Sequence, residues 1–197
     1  MEFTEQELAF FKQLFSEQPL GNDNIPGAGL SLRSQLPDYV APLFDEPVLC
    51  MLAEVGHFEL WFPLTLSLAQ NGDIQPKLGA PEIFEAQGLH RSWRFDNPQN
   101  INVETANGHT LPVHSLSSTG AVLDAAKYNN PPQSAMAKLH LPEYDPLPLE
   151  LKKMRQQENF VAVTFVSNNN KAQLRQFLFE QHKLHYRHIY QSLTTAC

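Results

Sequence analysis

The chain has 197 residues, is 42% hydrophobic and carries a formal net charge of −7 at pH 7. That length suffices for one large domain or two small ones with a real core, and no apolar run approaches the roughly 18 residues that a membrane span needs. The charge is divided unevenly: residues 1–89 hold 13 acids and 3 bases, while residues 90–197 hold 8 acids, 11 bases and seven of the eight histidines.

Such asymmetry implies two units with different jobs. A surplus of three positive charges in the second half favours an anionic ligand but is too mild for general nucleic-acid binding. The start, Met1 to Glu7, has three glutamates and no base, unlike a secretory signal peptide. Cys50 lies in an apolar run and Cys197 is the last residue. Two such cysteines make no disulfide framework, so a cytoplasmic location is expected.

Residues 4–17 (TEQELAFFKQLFSE) read as a helix, with Thr4 and Glu7 in a capping-box pattern and Leu8, Phe11, Leu14 and Phe15 on one face. Residues 19–47 are rich in Pro, Gly and Asn and read as a long loop with at most short elements. PVLCMLAEV (47–55) and HFELWFPLTLSL (57–68) read as strands joined across Gly56, and IQPKL (74–78) returns after the Asn71-Gly72 turn. A short segment, EIFEAQ, leads to the basic stretch GLHRSWRF (88–95).

Beyond it come short strands at the spacing of a sandwich or barrel. INVET (101–105) and TLPVHS (110–115) are joined through Asn107-Gly108, and 121–126, 135–141, 148–154 and 159–166 follow. Asn168–Asn170 precede a closing helix, KAQLRQFLFEQHKLHYRHIY, whose apolar face includes Leu174, Phe177 and Leu178. The expected fold is mainly β with flanking helices. Residues 1–86 form a small helix-and-sheet domain, and residues 87–197 form a six-stranded antiparallel barrel with a C-terminal helix.

The chain has no phosphate-binding loop of the Walker type, no G-x-G-x-x-G, no G-x-S-x-G and no C-x-x-C, so neither a catalytic residue nor a cofactor is assigned. Ser117 and His114 lack an orienting acid and an oxyanion hole. His182, His185 and His188 recur every third residue, which spreads them around a helix, and they read as a solvated helix end rather than a metal site. Two features remain. His90, Arg91 and Arg94 surround Trp93, which reads as an anchor in a core or interface. Arginine's planar fork grips phosphate oxygens and stacks on flat rings. Some twenty residues on, Ser115, Ser117 and Gly120 offer two hydroxyls and a position where backbone can come close.

A basic loop, then a Ser-x-Ser-x-x-Gly turn, then FVAVTFV (160–166) and LRQFLFEQH (174–182) together resemble the layout of PilZ domains, bacterial receptors for cyclic di-GMP built on a six-stranded barrel. The resemblance spans roughly residues 87–197, and the acidic half is similar in placement to the N-terminal domain of flagellar-brake PilZ proteins. It implies that loop arginines grip the phosphates and stack on guanine, while the turn bonds the guanine edge.

Arg94 matches the second loop arginine. His90 stands in place of the first, with Arg91 one place later. Ser117 and Gly120 match the turn, but Ser115 replaces an Asp or Asn. Exchanging a charge-assisted hydrogen bond for a hydroxyl costs about 1.5–3 kcal/mol. The resemblance thus implies a non-enzymatic receptor or adaptor whose ligand is cyclic di-GMP, acting on an unidentified protein partner in motility or biofilm formation. The alternative is a degenerate interaction module that does not bind it. The first helix and the Trp61/Phe62 run leave room for a homodimer.

Overall fold

A computed structural model describes residues 28–33, 35–44, 49–68, 74–87, 90–126, 131–166 and 171–194. The expected helix at 4–17 and the Asn168–Asn170 cap lie outside the described residues. Among the described residues, thirteen strands form two antiparallel sheets, followed by two helices.

The first sheet is open. β1 (Ala28–Arg33) pairs with β2 (Leu49–Val55), and β2 with β3 (Phe58–Leu68). The long β3 carries two strands along its other edge: β4 (Ile74–Leu78) at one end and β5 (Glu82–Glu85) at the other. β2 and β3 read as nearly continuous apolar runs because both faces of this sheet are covered, which removes the polar alternation of a half-exposed strand. Met51, Phe58, Leu60, Phe62 and Ile83 enter the main core. Cys50, Leu52, Trp61 and Phe84 face a second, smaller core with Val40 and Phe44. Trp61 and Phe62 are therefore buried, and that run offers no face to a second copy. β1 and the 3-10 helix Ala41–Leu43 are the short elements within the stretch expected to be mainly loop. β1 is an edge strand and needs only one partner, so its sequence carries little apolar signal.

The expected six-stranded barrel is present. β8 (Asn102–Thr105), β9 (Thr110–Ser117), β10 (Gly120–Asp124), β13 (Phe160–Val166), β12 (Leu147–Gln157) and β11 (Ser134–His140) pair in that order, and β11 closes onto β8. Its interior is built by alternation: Leu147, Leu149 and Leu151 on β12 point inward between exposed neighbours. The Asn107-Gly108 turn works as expected, with Gly108 at φ +76°.

The closing helix is two helices, α1 (Lys171–His185) and α2 (Arg187–Thr194), broken at Tyr186. α1 serves both sheets. Phe179 meets Phe62 of the first sheet edge-on at 5.6 Å, and Phe177 meets the barrel residues Phe95 and Tyr144. Each fully buried side chain of this size contributes about 1.5–3 kcal/mol.

His182 departs from the expected solvated helix end. It is fully buried among the rings of Phe58, Trp93 and Tyr186, and its Nδ1 lies 2.7 Å from the Tyr190 hydroxyl. The apolar stripe of α1 continues through this position and draws the imidazole in; His185 and His188 remain exposed. Among the described residues no three His, Cys, Asp or Glu side chains are grouped to hold a metal, and no helix is long and apolar enough to cross a membrane.

Burial lowers the His182 pKa from 6.5 to about 3, with smaller contributions from His185 and His57. The fold requires the neutral ring, whereas the unfolded chain takes up a proton below pH 6.5. This contribution to stability is therefore complete above about pH 6.5 and lost as the pH falls toward 3, at about 1.4 kcal/mol per pH unit. Urea unfolding from pH 7 to pH 4 should show this slope, and His182→Leu should flatten it. An equal slope in the variant would assign the acid sensitivity elsewhere.

Candidate functional site

The basic stretch is the crossing between the two sheets. β6 (Arg91–Ser92) pairs with β5 in the first sheet, and β7 (Phe95–Asp96) pairs with β9 of the barrel. Trp93 sits between them, 5% exposed, and its backbone N–H donates to the Ile83 carbonyl at 2.8 Å. Its indole stacks on Phe95 and meets His182 edge-on. One aromatic anchor thus pins the strap at its middle, and the polar side chains to either side are left at the surface.

Those side chains go different ways. Arg91 is exposed and lies across from Glu85 in the β5–β6 ladder. Arg94 is exposed, and its Nη1 donates to Ser115 Oγ at 3.2 Å. A guanidinium has five N–H donors, so this bond orients the fork without using it up. His90 turns to the first sheet. In a left-handed backbone conformation (φ +46°), it stacks on Tyr39 with ring centres 4.7 Å apart, and its Nδ1 lies 3.9 Å from Glu59 Oε1. Glu59 also accepts hydrogen bonds from Tyr39 Oη at 2.9 Å and Trp61 Nε1 at 3.1 Å. Burial, reinforced by Glu59, pushes the Tyr39 hydroxyl up to about 12, so it stays a donor at neutral pH.

The serine turn is placed by a bulge. Leu123 pairs with Val113 and Val122 with Ser115, leaving His114 as the extra residue on β9. The bulge re-phases the strand: Leu116 joins Val113 in the core, and Ser115 and Ser117 alternate away from it. Ser115 is 5% exposed beneath Arg94, while Ser117 has no exposed surface. The Ser117 hydroxyl donates to the Gly120 carbonyl at 3.1 Å and shares a 3.3 Å hydrogen bond with Thr119 Oγ1. His114 instead packs on Phe160. Gly120 permits a close backbone approach, and that approach is to β13: an added Cβ would overlap the Val163 carbonyl oxygen.

The structure therefore brings Arg94, Ser115, Ser117 and Gly120 onto one wall, with Arg91 at the neighbouring sheet edge and His90 docked on Tyr39. A cavity of about 180 Å³, lined by Leu111, Leu123, Leu151 and Val161 among others, touches none of the six residues. Sequence reasoning missed Tyr39 and Glu59, which hold His90, and no local pattern marks them.

No protein-family model and no curated protein matches the chain. Among solved structures, it is similar to an uncharacterized Legionella protein, Lpg0364, with 22% identity over 47% of this chain and 97% of that one, at a TM-score of 0.42. It is also similar to YcgR from Escherichia coli in complex with c-di-GMP, with 15% identity over 89% of this chain and 81% of that one, at a TM-score of 0.38.

Gly120→Ala should force β10 and β13 apart, because the obstruction is backbone and cannot rotate away. The expected loss is about 1–3 kcal/mol, read from urea unfolding. A variant as stable as the parent would show that the turn is looser than its packing implies.

Proposed function

We propose that this chain is a PilZ-type receptor or adaptor for cyclic di-GMP, with no catalysis of its own. The observation that carries the reading is the contact between Arg94 and Ser115, which sets the basic strap against the serine turn on the outer wall of the barrel. Arg91 and Arg94, with His90, close over the phosphates and bases. Ser115 faces the ligand edge, and Ser117 and Gly120 complete that wall by shaping its turn. The strap belongs to both sheets, so a ligand that draws it in changes how the first sheet sits on the barrel, and a protein partner in motility or biofilm formation reads the change.

One observation favours the alternative, an interaction module of the same shape that binds no cyclic di-GMP. His90 occupies the position of the first loop arginine and is held by Tyr39 beside Glu59, away from the Arg94 wall.

Calorimetric titration with cyclic di-GMP, using GTP as control, separates the two readings. The receptor reading expects micromolar or tighter binding of cyclic di-GMP alone. Arg94→Ala should weaken it about tenfold to a hundredfold, the equivalent of one charge-assisted hydrogen bond. Its melting temperature should hold, because the Arg94 side chain is exposed. No heat with the parent chain would leave the interaction module, and an unchanged affinity in the variant would remove Arg94 from the clamp.

A further inference from the structure

The inward positions of β12 do not end with Leu147, Leu149 and Leu151. Lys153 follows in the same two-residue alternation, just before the register shift, and it is half-buried. Its Nζ donates to the Pro131 carbonyl at 3.1 Å. With Leu111, Leu123, Leu151 and Val161 it lines the cavity of about 180 Å³. That cavity lies at the end of the barrel where β9 begins and β10 ends, whereas the serine turn joins the opposite ends of the same strands.

The interior of a small barrel is normally filled by its own side chains, so the space has a local cause. The inward positions of β11 shrink toward this end, from Leu139 through Ala137 to Ala135, and Ala125 follows Leu123 just beyond β10. Left empty, an apolar space of this size deprives its lining of dispersion contacts. An apolar cavity of about 150 Å³ is enough to hold benzene.

The charge at the cavity is of one sign. Among the described residues its lining includes Lys153 and no Asp or Glu. An ammonium has three donors, and the Pro131 carbonyl takes one of them. We propose that this end of the barrel is a binding site for a small amphipathic anion. The ligand class is a monocarboxylate whose apolar body, about the size of a benzene ring, fills the cavity while its carboxylate meets Lys153. The exposed residues Ala106, Asn107 and Met136 lie on the solvent side of the lining and give access. A second charge on the ligand would face leucine and valine side chains, which selects against dianions. The site shares no residue with the strap or the serine turn and does not depend on the nucleotide reading.

Methyl ¹H–¹³C spectra of the full chain, titrated with benzoate and with benzyl alcohol as the uncharged control, test the site. Both compounds should give saturable shifts at Leu111, Leu123, Leu151 and Val161. Benzoate should bind about tenfold more tightly, as one charge-assisted hydrogen bond supplies. Lys153→Met keeps an apolar stem at the rim; it should lower benzoate to the affinity of benzyl alcohol and leave benzyl alcohol unchanged. Ala135→Leu, which fills the space, should abolish both. No saturable methyl shifts, or benzoate shifts confined to the surface arginines, would overturn the site. Equal affinities in the parent chain, or benzoate binding unaffected by Lys153→Met, would overturn its selection for an anion.

Discussion

The burial of Trp93 is the constraint on which the site depends. An indole with its backbone bonded to Ile83 and its ring against Phe95 and His182 cannot shift without opening the core shared by both sheets. With that residue fixed, its neighbours have little choice. Arg91 and Ser92 complete the edge of the first sheet, and Phe95 and Asp96 pair with the barrel. The cationic side chains are left at the surface where the sheets meet. This is why two arginines and a histidine gather at the point where the acidic half of the chain ends.

α1 supplies the other half of that constraint. Phe177, Phe179 and His182 reach residues of both sheets, so the helix is a wedge between them rather than a lid on the barrel alone. Arg175, on the same helix, reaches Ala80 and Glu82 and lies over the Phe44 ring. The main core is accordingly continuous from β2 to α1. A movement of the strap would be felt on both sides.

Much of the barrel was legible because its signals are local. Asn-Gly turns and a two-residue alternation need no knowledge of distant partners. β5 was not legible: four residues with a buried glutamate give no alternation, and the strand exists because β3 is long enough to hold two neighbours on one edge. His182 was misread for a related reason. Spacing puts it on a helix, but only the presence of Phe58 and Trp93 on other elements shows that it faces inward. At the site, the residue types were readable and their division of labour was not. Gly120 and Ser117 read as ligand contacts from sequence, yet their visible contacts are to β13 and to the turn itself. On the proposed reading, that leaves Arg91, Arg94 and Ser115 as the groups to meet a ligand, with His90 held by an aromatic stack on Tyr39.

The most direct test maps the ligand onto the strap. In a ¹H–¹⁵N titration of the full chain with cyclic di-GMP, the account expects saturable shifts at the side-chain N–H groups of Arg91 and Arg94, together with the amides of Ser115–Gly120. Shifts confined to other surfaces, or none at saturating ligand, would contradict it.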